Sequence, residues 1–167
     1  MVRLTRSLSA VIAVAIVASG LFLQRVHGAT PVPAQKVGAC SLLTVDEIKK
    51  FAPWAPHLDQ LKPQEESLAN GSACNYPTVY IQVMSMTPDR WKGWVSGLKN
   101  PTLEPVPNVG DEAYIRDNNR LFTEFCARAG TNVLTVQYSL NDVKGETTQA
   151  VKPRIIELGK ALVAKLR

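Results

Sequence analysis

The sequence predicts an α+β domain: an antiparallel sheet of about four strands with helices packed on one of its faces. Three observations lead there. Residues 43–48 carry a helix-entry signal, several runs between 79 and 140 alternate apolar and polar positions, and Ile155, Leu158, Leu162 and Leu166 recur at helical spacing near the end. Helices flanking an antiparallel run argue for helices layered on a sheet, in the order helix, strand, helix, three-stranded meander, helix.

The first 28 residues read as a secretory leader. Arg3 and Arg6 form a positive start, 8–23 an apolar stretch, and Val26-His27-Gly28 a small-residue cleavage site before Ala29. The apolar stretch falls short of the roughly 20 residues of a spanning helix, and Ser9, Ser19 and Gly20 dilute it. The leader takes three of the 19 basic residues and none of the 14 acids, so the mature excess is only two. That balance supports no nucleic-acid argument, and no nucleic-acid partner is expected. With 28 of 167 residues removed, about 139 remain, enough for one domain with a real core. Residues 29–39, with Pro31 and Pro33, form an extended tether, and 40–167 the domain.

Thr44 and Glu47 have capping-box spacing, and Leu43 and Ile48 flank them as a hydrophobic staple, so the first helix covers 45–51 and stops before Pro53. Residues 57–73 are polar and read as a long loop with at most a helical turn. Within it Asn70-Gly71-Ser72 is a glycosylation sequon that is better explained as a turn. The first strand spans 79–86, with Val79, Ile81 and Val83 alternating against Tyr80, Gln82 and Met84. Thr87-Pro88 supplies an N-cap and a first helical residue, and Trp91, Trp94, Val95 and Leu98 share one helix face. Pro101, Pro105 and Pro107 leave the next stretch irregular or at most an edge strand. A meander follows over 111–116, 120–128 and 132–140, with turns at Asp117-Asn118-Asn119 and Ala129-Gly130-Thr131. Pro153 stands near the first turn of the closing helix.

Cys40-Ser41-Leu42-Leu43-Thr44, Cys74-Asn75-Tyr76 and Gly110-Asp111-Glu112-Ala113-Tyr114, together with the closing amphipathic helix, resemble a group of small exported bacterial envelope domains of unknown function, often lipid-anchored. The resemblance implies export and carries over no catalytic residue. This chain departs from the lipid-anchored members, because no cysteine directly follows its leader.

Three cysteines in an oxidising compartment allow one internal bridge. Cys40–Cys74 is expected, stapling the first helix to the first strand and leaving Cys126 over. The alternative is a lipidated Cys40, since Val37-Gly38-Ala39-Cys40 has lipobox form, with Cys74 bonded to Cys126. Catalysis has little to stand on. After cleavage His57 is the only imidazole, so a hydrolase or thiol enzyme would need it as its sole base, with Cys126 or a serine as nucleophile. Asp46-Glu47, Glu65-Glu66 and Asp111-Glu112 are sequence neighbours that point different ways on a helix or strand. Neither a phosphate loop nor zinc-ligand spacing is present, so no catalytic residue, metal or cofactor is expected. Gly110-Asp111-Glu112 reads as a glycine turn entering a strand rather than as a cation site.

Period-2 reading assigns Val79, Ile81, Val83, Ala113, Ile115, Leu121, Phe125, Leu134, Val136 and Tyr138 to the helix-covered face. The opposite face then holds Tyr80, Gln82, Met84, Tyr114, Arg116, Phe122, Glu124, Cys126, Arg128, Thr135 and Gln137. Its aromatics and charges make Tyr80, Tyr114, Arg116, Phe122, Glu124 and Arg128 the candidate binding face. Trp54, between Pro53 and Pro56, is a second candidate anchor. The expected protein is an exported, non-catalytic binder of an envelope protein or peptide. It would touch the membrane only through an uncleaved leader or a lipid on Cys40.

Overall fold

In the computed structural model the described residues are 37–51, 62–98, 103–118, 121–140, 145 and 147–167. Three helices and seven strands follow one another: α1 (Val45–Phe51), β1 (Gln64–Leu68), β2 (Gly71–Asn75), β3 (Val79–Ser85), α2 (Pro88–Gly97), β4 (Glu104–Pro105), β5 (Glu112–Asn118), β6 (Phe122–Ala129), β7 (Asn132–Ser139) and α3 (Thr148–Lys165). A short 3-10 turn, Ala39–Ser41, precedes α1. The strands form one antiparallel sheet in the order β1-β2-β3-β7-β6-β5-β4. Two meanders, β1 to β3 and β4 to β7, are thus joined side by side through β3 and β7.

The sheet is larger than the four strands expected from the sequence. β1 is a charged edge strand, with all of Gln64 to Ser67 exposed, so it has no buried side to alternate against. β2 is buried, but through Gly71, Ser72, Ala73 and Cys74, which have too little apolar bulk to announce a strand. The polar stretch read as a loop therefore contains a hairpin, turning at Ala69-Asn70 with Leu68 opposite Gly71. At Gly71 a Cβ would lie 1.9 Å from the Val83 carbonyl oxygen, so only glycine lets β2 approach β3 there. β4 is the two-residue edge strand that its prolines permit.

The strand parity holds for the face covered by α1 and α3. Ile81, Val136, Phe125 and Ile115 lie in one cross-strand row and Val83, Leu134, Ala127 and Ala113 in the next, all buried. Against them α3 sets Val151, Ile155, Leu158, Leu162 and Val163, while Leu42, Leu43 and Ile48 close the end of this core. Leu121 is the exception. It lies in the turn before β6, outside the alternation, and is 50% exposed. Pro153 is the sixth residue of α3, so the exposed Gln149 gets no helical donor from it.

The expectation that all helices share one face is corrected by α2. Its Thr87 cap and Pro88 start are as the sequence indicates, with the Arg90 N–H donating to the Thr87 hydroxyl at 3.4 Å. The connection from β3 to β4 has to cross the sheet, however, and α2 crosses on the second face. There its fully buried Trp91 forms a separate cluster with Cys126 and Val133, flanked by Met86, Trp94, Val95 and Tyr114.

The entry to the domain is fastened at several points. The Glu47 N–H donates to the Thr44 hydroxyl at 3.2 Å, and the Thr44 N–H to the Glu47 carboxylate at 2.9 Å, which completes the capping box. Lys165 then bonds Glu47 at 2.8 Å and the Leu42 carbonyl at 2.7 Å, tying the end of α3 to the start of α1. That ammonium and the Thr44 N–H hold the Glu47 carboxyl down to about 2. Residues 37–39, read as the end of the tether, are drawn in as well. Ser72 accepts from the Ala39 N–H at 2.7 Å and donates to the Val37 carbonyl at 3.0 Å. The buried Ser72 hydroxyl is thus a structural bond within β2, and the turn expected at Asn70-Gly71-Ser72 falls one residue earlier, at Ala69-Asn70.

Cys40 and Cys74 form the disulfide, across 34 residues of sequence, and Cys126 is the free, buried thiol. The Cys40 sulfur is therefore not available for a lipid thioether, which overturns the lipidated alternative and its Cys74–Cys126 bridge. Closing a loop of this length restricts the unfolded chain by roughly 3–4 kcal/mol. Replacing both cysteines with serine is expected to lower the unfolding free energy by about that amount in urea titration, and reductant should reproduce the loss in the wild type. An unchanged midpoint in both would show that the buried Ala39, Leu42 and Leu43 hold the entry without the staple.

Candidate functional site

The second face of the sheet divides in two. One half lies beneath α2. In the other, β2, β3 and β7 set Asn75, Tyr80 and Gln137 in one row and Ala73, Gln82 and Thr135 in the next. Tyr80, Gln82 and Gln137 are all half-buried. At the end of this half is an open recess of about 240 Å³, lined by Tyr76, Pro77, Thr78, Val79, Tyr80, Gln137 and Ser139.

The local sequence explains the recess. After β2 the chain turns over Tyr76-Pro77-Thr78, closed by the Tyr76 N–H donating to the Val79 carbonyl at 2.9 Å. Pro77 sits inside this turn, where its missing N–H is not needed, and beside it the Ser139 N–H donates to the Thr78 carbonyl at 2.9 Å. The Tyr76 phenol crosses to the Leu43 carbonyl at 2.6 Å, fixing the turn to the entry segment. Burial pushes that phenol up to about 12, so it stays a donor. Burial, with the Glu66 carboxylate adding to it, also raises the Tyr80 phenol. The Thr78 hydroxyl is buried and bonds nothing within the protein. No lining residue carries a formal charge at neutral pH.

Most of the other predicted face residues are engaged within the protein. Arg116 and Glu124, paired across β5 and β6, make a two-pronged ion pair at 3.0 and 3.1 Å, with Glu124 only 5% exposed. Arg128 bonds Asp111 at 2.8 Å and the Gly130 carbonyl at 3.1 Å, and lies 3.7 Å from Glu112. Glu112 in turn accepts from the Trp91 indole N–H at 2.6 Å. Tyr114 is beside Trp91, with ring centroids 6.3 Å apart. Phe122 is half-buried at the start of β6, opposite Ser139. Of the six, Tyr80 lines the recess, Phe122 pairs with a residue that lines it, and Arg116 and Glu124 lie in the row of Gln137. Tyr114 and Arg128 belong to the seat of α2.

Gly110-Asp111-Glu112 thereby gains a structural account. Gly110 has φ +60°, and a Cβ there would lie 2.3 Å from the Arg128 carbonyl oxygen. Asp111 accepts from both Arg128 and the Gly130 N–H, at 2.8 Å each, closing the end of the meander. Both acids face an internal guanidinium, and no group of three potential metal ligands occurs among the described residues.

Cys126 is a poor nucleophile. It is fully buried under Trp91, its thiol donates to the Tyr114 carbonyl at 3.7 Å, and burial, with Glu124 adding to it, pushes it up to about 12. That placement lends the Cys126 arm of the thiol-enzyme alternative no support. His57 and Trp54 lie outside the described residues.

Sequence reasoning named Tyr80 but missed Pro77, Thr78, Gln137 and Ser139 as a unit. The available signal was Asn75-Tyr76-Pro77-Thr78, where a proline between two strand-forming runs marks a break in pairing. Comparison with family models, curated proteins and solved structures gives no match for this chain.

Proposed function

We propose that this chain is an exported, non-catalytic binding protein, periplasmic or secreted, that holds a protein, peptide or envelope component on the uncovered half of its second sheet face. The observation that carries the reading is the recess at Tyr80 and Gln137, a concave place lined by uncharged hydrogen-bonding residues on the half of the face that α2 leaves open. Export is supported by the leader-like residues 1–28 and by a disulfide, which persists in oxidising compartments. No helix among the described residues is long and apolar enough to cross a membrane. The absence of a reactive thiol favours binding over catalysis.

Site-directed photocrosslinking in intact cells tests this. A photoreactive residue replacing Gln82, beside the recess, is expected to capture a defined component, and the same residue replacing the exposed Glu157 on α3 is not. Capture at Gln82 should disappear when Gln137 is also replaced by alanine. Equal capture from both positions, or persistence without Gln137, would overturn the reading. A hydrolase using His57 is the competing reading. It predicts that His57→Ala fails to complement a deletion strain, whereas a binding protein is expected to be complemented in full.

A further inference from the structure

We infer that the recess takes one uncharged pyranose ring of a saccharide, an inference that rests on the reading of this face as a ligand site. Size comes first. At about 240 Å³ the recess lies below the roughly 300–1,000 Å³ of clefts that enclose drug-sized ligands, so it suits a single ring.

Chemistry narrows the class further. The partly exposed side chains able to offer hydrogen bonds are the hydroxyls of Tyr80 and Ser139 and the amide of Gln137. All are neutral, and the hydroxyls and the amide each both donate and accept, as a ring of hydroxyl groups requires. An anionic or cationic ligand would find no countercharge in this lining. Of the charged groups around it, Arg116 and Glu124 neutralise each other, and the Glu66 carboxylate lies close enough to act on the Tyr80 phenol. Pro77 and the ring of Tyr80 add apolar surface of the kind that the C–H face of a sugar covers.

A peptide fits less well. Strand addition needs an exposed sheet edge, but β3 is paired on both sides, with β2 and with β7. The Thr78 carbonyl at the rim is taken by the Ser139 N–H. A peptide backbone would therefore have to be recognised by side chains alone, which a polyhydroxylated ring requires anyway.

The test is titration of the exported, isotopically labelled chain, followed by amide shifts in NMR. The probes are methyl glycosides of glucose, galactose, mannose and N-acetylglucosamine, with the neutral capped peptide acetyl-Pro-Pro-Gly-amide as the competing arm. At least one glycoside is expected to give saturable shifts at Thr78, Tyr80, Gln137 and Ser139, with higher affinity than the peptide. Gln137→Ala and Tyr80→Ala should each weaken it about tenfold or more, with the thermal midpoint of Gln137→Ala unchanged as the control for folding. Tighter binding of the peptide, or no saturable shift at these amides from any glycoside, would overturn the inference. Crosslinking at Gln82 separates the two failures. If it persists while the glycosides fail, the face binds something else; if both fail, the face is not a ligand site.

Discussion

Replacing Gly159 with valine is expected to lower the unfolding free energy by about 3 kcal/mol or more. Gly159 is the point where α3 lies directly on the sheet. A Cβ there would stand 2.3 Å from two carbons of the Phe125 ring and 2.8 Å from a third. Phe125 is fully buried, with Ile115 and Val136 opposite it on the neighbouring strands, so its ring has no free direction in which to move. Alanine alone would gain about 1 kcal/mol of helix propensity and meet roughly 1–3 kcal/mol of overpacking, a modest net loss. Valine adds two methyl groups on the crowded side and gives up most of the propensity gain. Its cost should reach or exceed the roughly 3 kcal/mol at the top of the usual overpacking range, against a total of about 5–15 kcal/mol for a domain. Urea titration of Gly159→Ala and Gly159→Val measures both. Phe125→Leu, which removes ring atoms at the point of contact, should make the double variant more stable than Gly159→Val alone. Strict additivity of the two substitutions would place the damage elsewhere.

That contact was only partly legible in the sequence. Ile155, Leu158 and Leu162 mark the buried stripe of α3, and Phe125 falls on the correct side of β6 by period 2 alone. The need for glycine at 159 depends on how closely helix and sheet approach, which no one-dimensional pattern encodes. The same limit explains the missed hairpin. β1 and β2 become strands because β2 lies against β3, through small residues and a disulfide, rather than because either carries an apolar stripe of its own. Parity on the second face was read correctly, yet parity says only which way a side chain points. What covers it depends on the route of the connection after β3. That route places α2 over Tyr114, Cys126 and Arg128 and leaves Tyr80 and Gln137 to the recess. The candidate site was therefore visible as a face but not as a place. Its outline comes from the Tyr76-Pro77-Thr78 turn meeting the end of β7, a neighbourhood that no single stretch of sequence displays.

Replacing Trp91 with alanine is expected to free α2 from the sheet before the sheet itself unfolds. Trp91 is the one buried residue of α2, and it supplies the center of the separate cluster on the second face. Truncating a buried tryptophan costs roughly 3–5 kcal/mol. This substitution also removes the 2.6 Å bond from the indole to Glu112. Trp94 and Val95 are only partly buried, so little else on the helix can hold it in place. The opposite core of Phe125, Val136 and α3 is made of other residues and should persist. Cys126 reports the difference, since its thiol is sealed beneath Trp91 in the folded protein. In Trp91→Ala, a thiol reagent is expected to label Cys126 at urea concentrations where the far-ultraviolet dichroism of the sheet is still native. In the wild type, labelling should follow global unfolding. Trp91→Phe, which keeps an aromatic ring but not the indole N–H, should fall between the two, losing the roughly 1.5–3 kcal/mol of a hydrogen bond to a charged group together with some packing. If labelling of Trp91→Ala instead coincides with loss of the sheet signal, α2 and the sheet are a single cooperative unit, and the second face never opens on its own.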